Sequence, residues 1–476
     1  MHFSWIGCDS LEKTMKKDLF QGSLMKNILL FTLPIIATSM LQLLFNTADL
    51  AVVGMFKGEE AVAAVGSTSS MIHLIVNLLV GLSVGASVIV AQAWGAKDPE
   101  AIEKSVHTAI TLSFLGGIVF GVIGFFLARP ILEWMDTDPT VIDAATLYVK
   151  IYFVGVPTSM LYNFGASVLR AVGNTKTPLL YLTISGVANV ILNLIFVAGF
   201  GMSVEGVALA TAISQVLAAL LVLRYLAQSH ESYRLSFKKL GIDRTAFSRM
   251  LRIGVPAGLQ GSLFSISNVI IQSSVNSFAS VEIIAGNTAA MTLEGYVYTM
   301  MNSFSSAAMT FVGQTVGARR YDRISKVAWR CLLLVTAAGL LGGIFCYLFK
   351  TPLLGIFLSE GEGNASQSLA YGSLRLLYIC LPYFLCGLMD VLTGLLRGMG
   401  ASTLPMIITV GGVCGLRLFW IFTVFAAHHT LEVLYLSYPI SWIVTGICQL
   451  TLLLILLHKR FGKSSQKPHP INESST

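Results

Sequence analysis

Charge is what this chain has little of. Asp, Glu, Lys and Arg make up 12% of its 476 residues, where a soluble domain carries about 25%. Beside a hydrophobic content of 55%, that shortage excludes a water-soluble fold over most of the length and points to an integral membrane protein. Cysteine is sparse as well: there are seven, and all except Cys8 lie in apolar segments, so no extracellular disulfide framework is implied. The eight histidines show no HxxxH or HExxH spacing, and the one adjacent pair, His428 and His429, sits in a short break. Neither a metal centre nor a cofactor is expected. No short apolar region with a small-residue cleavage site precedes Met25, so this lead-in reads as cytoplasmic and not as a signal peptide.

Long apolar runs are present instead. Segments of spanning length start near residues 27, 62, 106, 148, 178, 204, 251, 284, 327, 372, 404 and 432, which predicts an all-α polytopic membrane protein of about twelve helices. The longest polar break, Arg224 to Arg252, holds seven Lys or Arg. With the N-terminus inside, 25 bases fall on the inner side and 5 outside, the outer ones being Lys57, Arg129, Lys150, Lys350 and Arg375, while Arg417 is left within a helix. This bias puts both termini in the cytoplasm and accounts for the net charge of +7 without a nucleic-acid partner. The expected division is an N-terminal segment 1–26, an N-lobe 27–226, a cytoplasmic linker 227–250, a C-lobe 251–457 and a cytoplasmic tail 458–476.

The halves are copies. Pro34 and VAQAWGAKD at Val90 match Pro256 and VGQTVGARR at Val312 at an offset of 222, and LRAVGNTKTP at Leu169 matches LRGMGASTLP at Leu396 at an offset of 227. Six helices per half is an even number, so the repeats are parallel, about an axis along the membrane normal. A cleft between lobes that rock against each other is the expected consequence.

One acid stands inside the first apolar run. Thr38, Gln42, Asn46 and Asp49 recur at helical spacing on one face, and an acid at the bilayer centre costs about 2.5 to 3.5 kcal/mol, so this face looks at protein or water. Ser185, Asn189 and Asn193 form a polar stripe on helix five, and Thr211 and Gln215 another on helix six. Three stripes can converge on one polar pocket, whose default reading is an ion or proton site; structural bonding between helices is the alternative for any single amide. In the second half, Glu294 is expected to be a solvated acid near the outer surface. Asp390 and Arg417 are the other intramembrane charges, about 10 Å apart along the axis, and are expected to form a charge pair, either a switch or a structural bridge. No nucleophile and base stand in a catalytic arrangement, which disfavours an intramembrane enzyme.

With those residues in hand, the chain resembles the multidrug and toxic compound extrusion family. The resemblance rests on LP followed by FNTADLAVVG in the first helix, on VAQAWGA and VGQTVGA, and on LRAVGNTKTP and LRGMGASTLP. It implies two six-helix lobes, a V-shaped cavity, and efflux of amphipathic, often cationic, compounds driven by Na⁺ or H⁺. The acid that one branch carries on helix seven is replaced by Phe264. The DinF-type branch is closer: Asp49, Asn189 and Thr211 match its site, while its helix-five acid is replaced by Asn193. One carboxylate among neutral amides suits H⁺ better than Na⁺, although Asp49 is where Na⁺ would bind. The expected setting is a bacterial plasma membrane, with a monomer working on small amphipathic molecules in the bilayer. A lipid or lipid-linked oligosaccharide flippase is the alternative, but it would carry several cavity bases where Arg417 is alone.

Overall fold

The computed structural model describes residues 22–358 and 365–461; the expectations for residues 1–21 and for the tail beyond 461 fall outside the described residues. Among those described there is no strand, and twelve long helices follow one another. In the first half these are α1 Leu24–Gly58, α2 Leu74–Ala96, α3 Pro99–Trp134, α4 Ile142–Ala171, α5 Lys176–Gly199 and α6 Val204–Gln228. The second half has α7 Arg244–Asn276, α8 Val281–Gly317, α9 Tyr321–Leu348, α10 Ala365–Gly398, α11 Thr403–Phe425 and α12 Leu431–Lys459. Eleven of them are apolar and long enough to cross a membrane. The twelfth, α8, runs for 37 residues and has Asn287 and Glu294 among its buried residues.

Local chemistry sets the boundaries. At the α2–α3 turn, Asp98 accepts a hydrogen bond from the Ala101 amide at 3.0 Å with Pro99 in the first helical position, and Asp243 caps α7 through the Ala246 amide at 2.8 Å. A cap satisfies donors that the first turn leaves open. The repeat extends to backbone conformation: Lys97 and Arg319, related by the offset of 222, both have φ of 55°, and Gly173 and Gly400, related by 227, have φ of 100° and 82°.

The lobes, α1–α6 and α7–α12, interlock at the basic face. Leu24, Ile28, Phe31 and Ile35 of α1 are buried in the core of the second lobe, where Phe31 meets the Phe311 ring edge-on at 5.4 Å between centroids. Their counterparts at the offset of 222, Ala246, Met250 and Ile253 of α7, are buried in the core of the first lobe. Each lobe thus lends the opening turns of its first helix to the other.

The glutamines of the repeated motif cross between lobes in the same reciprocal way. Gln92 donates to the Gly398 carbonyl at 3.0 Å, and Gln314 donates to the Ala171 carbonyl at 2.8 Å. Arg249 donates to the Gln92 side-chain oxygen at 2.7 Å. Close approach is possible because Gly95 and Gly317 lie against the backbone of Gln314 and Gln92, where any Cβ would overlap a carbonyl oxygen. Further out, Asn77 on α2 donates to Ser265 on α7 at 3.0 Å. The lobes are joined at the basic face by these reciprocal contacts.

The linker is docked and not a free tether. Leu235 and Tyr233 are buried, the Ser236 amide donates to His107 at 3.0 Å, the Asp243 amide donates to Thr108 at 3.0 Å, and Lys239 pairs with Glu103 at 2.6 Å.

This closed face predicts its own weak points. A hydrogen bond between helices in a membrane contributes about 0.6 kcal/mol, so Gln92→Ala should shift the balance towards parted lobes about threefold. Gly317→Ala, which forces a side chain against the Gln92 carbonyl, should shift it further. Spin labels at Lys97→Cys and Arg319→Cys, in a background lacking the native cysteines, would report a longer-distance population in both; unchanged distances would contradict the latch.

Candidate functional site

Asp49 and three residues of the other two polar stripes meet in one nest. Asp49 comes from α1, Asn189 and Asn193 from α5, and Thr211 from α6. Asn193 donates to one carboxylate oxygen of Asp49 at 2.5 Å, and the Thr211 hydroxyl donates to the other at 3.4 Å. Asn189 donates to the Thr211 oxygen at 3.3 Å, and Asn193 also reaches the Asn189 oxygen at 3.4 Å. Packing supports this register: Phe45, one turn before Asp49, lies so close to Gly186 on α5 that any Cβ there would overlap its ring. Beyond Asn193 the α5 backbone widens into a π-helical stretch, Leu194–Gly199, a distortion common at functional sites.

The electrostatics are unusual for a membrane interior. Asp49 has no cationic partner within ion-pair distance among the described residues; its neighbours are neutral donors. Asn193 is fully buried, and its side-chain oxygen has no hydrogen-bond partner. A carboxylate beside an unpartnered carbonyl oxygen can receive a proton or a small cation. The described residues hold no cluster of three or more His, Cys, Asp or Glu.

Gln42 and Asn46 stand apart from this nest. Both are exposed. Gln42 shares the face of Asp49 but lies seven residues lower, about 10 Å along the axis. Thr38 is buried and turned back on its own helix, donating to the Pro34 carbonyl at 2.7 Å.

In the second lobe the expected charge pair does not form. Asp390 accepts from Asn302 at 3.5 Å, and its backbone carbonyl accepts from Ser305 at 2.7 Å. Arg417 donates through Nε to Ser441 at 2.9 Å, and its guanidinium lies over the Tyr438 ring at 4.1 Å and near Trp442 at 5.7 Å. Aromatic faces attract a desolvated guanidinium by up to about 2 kcal/mol, so the residue has a partner that counting charges alone overlooks.

The buried ion pair of this lobe is a different one. Arg375, expected in an outer loop, and Glu294, expected in solvent, are 3% and 5% exposed. Nε and Nη2 of Arg375 donate to the two carboxylate oxygens of Glu294 at 2.9 and 2.8 Å, and Nη1 donates to Asn287 at 2.7 Å. The Tyr435 hydroxyl also donates to the Asn287 oxygen, at 3.2 Å, while the Asn287 amide donates to Gln272 on α7 at 3.0 Å. A signal existed: Asn287 and Glu294 lie seven apart, on one face of a helix of spanning length.

Comparison with known proteins agrees with this architecture. The MatE family model matches residues 34–195 and 256–423, one stretch in each lobe. The chain is 31% identical over 445 residues to "Probable multidrug resistance protein YoeA" of Bacillus subtilis (strain 168), covering 91% of this chain and 93% of that protein. It is 28% identical over 393 residues to "Probable multidrug resistance protein YpnP" of the same organism, covering 83% and 86%. A crystal structure described as MATE in complex with MaL6 superposes with a TM-score of 0.86 at 21% identity, over 93% of this chain and 98% of that one.

Removing one member of a buried pair strands the other's charge, at about 3 to 5 kcal/mol, whereas apolar replacement of both is close to neutral. Glu294→Ala and Arg375→Ala should each lower thermal stability in detergent by that order, and Glu294→Leu with Arg375→Met should recover most of it. Additive losses in the double variant would contradict the pairing.

Proposed function

The chain belongs to the MatE family and is a membrane transporter, and from that premise we propose that it is a secondary active multidrug exporter that exchanges amphipathic, often cationic, compounds for H⁺. Relatives named for multidrug resistance, which cover most of both chains, support the substrate class. The observation that carries the coupling is the nest at Asp49: one carboxylate, ringed by the neutral groups of Asn189, Asn193 and Thr211, beside an orphaned amide oxygen. A hard cation such as Na⁺ favours several anionic oxygens, and a second carboxylate is missing from this ring. Protonation needs only one.

In this mechanism the form that is closed at the basic face takes a proton at Asp49 from the outer side. Neutralising the carboxylate weakens the hydrogen bonds that the Asn193 amide and the Thr211 hydroxyl make to it, because a charged acceptor binds donors about twice as strongly as a neutral one. That change of contacts between α1, α5 and α6 biases the equilibrium between lobe arrangements, as a ligand must if it is to shift one. Substrate leaves outward and the proton is released inward. The termini and the docked linker lie in the cytoplasm of a bacterial cell.

Asp49→Asn should insert and express at the normal level but lose gradient-driven uptake of a cationic dye into everted vesicles, the inverted counterpart of efflux from cells. Efflux by the unmodified protein should collapse with a protonophore and survive replacement of Na⁺ by choline; Na⁺ dependence would move the assignment to sodium, and normal efflux by Asp49→Asn would remove Asp49 from the mechanism. Lys238→Cys, on the exposed part of the linker, should react with an impermeant thiol reagent only after the cells are opened.

A further inference from the structure

The two lobes can be aligned at the site itself. The helices α5 and α11 start at Lys176 and Thr403, and α6 and α12 at Val204 and Leu431, so the offset of 227 persists through both pairs. It also relates Ser214 to Ser441, and both hydroxyls make the same bond to the carbonyl three residues earlier: Ser214 to Thr211 at 2.8 Å and Ser441 to Tyr438 at 2.7 Å. On this register Thr211 corresponds to Tyr438, and the counterpart of Asn189 is Leu416, next to Arg417. At the offset of 222, Asp49 corresponds to Ile271. Where the first lobe has an acid held by neutral donors, the second has Ile271, buried and uncharged, and Arg417 stands one residue past the counterpart of Asn189.

Arg417 is 4% exposed. Of its five N–H donors, the one on Nε has a protein acceptor, Ser441, and no carboxylate lies within ion-pair distance among the described residues. The two acids of this lobe's interior are engaged elsewhere. Glu294 is held by both ends of Arg375, and Asp390 by Asn302. Tyr438 sits between two guanidiniums, 4.1 Å from that of Arg417 and 5.6 Å from that of Arg375; the charge of Arg375 is offset by Glu294, and that of Arg417 is left without an opposite charge among the described residues. The side chains around it are aromatic: Tyr383 and Tyr438 flank Trp442 at 5.2 and 5.8 Å between ring centroids. A buried charge is retained in a membrane when it is paired or functional, and a planar guanidinium with free donors matches a carboxylate or phosphate.

We propose that the second lobe binds the anionic group, carboxylate or phosphate, of an amphipathic ligand at Arg417, with the apolar part of that ligand against Tyr383, Tyr438 and Trp442. The site is the positional counterpart of the Asp49 nest with its polarity inverted. The exporter reading supplies only the traffic of such ligands; binding is measured at equilibrium without a gradient, so a failure here leaves the role of Asp49 untouched.

The test is calorimetric titration of the full chain in nanodiscs of zwitterionic lipid, with empty nanodiscs subtracted. The probes are 1-naphthoate, 1-naphthyl phosphate, the uncharged 1-naphthalenemethanol, and chloride. Both naphthyl anions should bind saturably and at least tenfold more tightly than the alcohol, with chloride failing to displace them at equal concentration. Arg417→Gln should weaken the anions at least tenfold, while Arg417→Lys, which keeps the charge but loses the planar fork, should fall between. Ser441→Asp places a carboxylate within reach of Nε and should abolish anion binding with Arg417 still present; being internally neutralised, it carries the test even where Arg417→Gln does not fold. The proposal is overturned by an absence of saturable binding, by equal affinity for the alcohol, by displacement with chloride, or by anion binding that survives Ser441→Asp.

Discussion

A charge inside a bilayer must find a partner, and the interior of this protein is arranged around that constraint. The few charges that enter the membrane are met in three different ways. Asp49 is held by side-chain amide and hydroxyl donors from two other helices. Glu294 and Arg375 meet in a two-pronged pair reinforced by Asn287. Arg417 lies on an aromatic face. These solutions differ in reversibility. A two-pronged pair inside a tyrosine and amide network is difficult to undo, which makes it suited to holding α8 and α10 together. A carboxylate held only by neutral donors strands no opposite charge when it takes up a proton, and its hydrogen bonds weaken instead.

The division of labour follows the lobes. Around the first-lobe nest the chain is permissive: α5 loosens into a π-helical stretch just past Asn193, and α1 is joined to α2 through a bend at Gly58. The second lobe also contains π-helical stretches, in α10 and α11, but there Arg375 and Arg417 brace the helices on either side of Tyr438. The two halves of a nearly duplicated backbone thus differ in how their interior charges are held.

Much of this was legible in the sequence because the bilayer simplifies the rules. Helix number, the repeat offsets and the position of Asp49 follow from apolar length and helical spacing. The gathering of Asn189, Asn193 and Thr211 was visible as stripes, since only one face of each helix is polar. What periodicity could not supply was height: Gln42 shares the face of Asp49 but sits two turns away, and spacing around a helix says nothing about where neighbours cross it. Arg375 was misplaced for a related reason. Near a helix end, a base in a loop and a base in the first turns look alike, and only the presence of Glu294 on another helix distinguishes them. The partner of Arg417 was hidden because tyrosine and tryptophan read as ordinary apolar packing until their faces are located.

The reciprocal crossing at the basic face has a consequence for ancestry. Gln92 reaches the second lobe as Gln314 reaches the first, and the opening turns of α1 and α7 are traded between cores. This is the pattern of an isologous interface, in which residue i touches j and j touches i across a twofold axis. A homodimer of one half would show the same contacts, but every substitution would appear in both protomers at once. Fusing the halves into one chain keeps the symmetric contact and frees the two interiors from that equality. An aspartate could then settle on one side and an isoleucine on the other, a difference that no pair of identical subunits could hold.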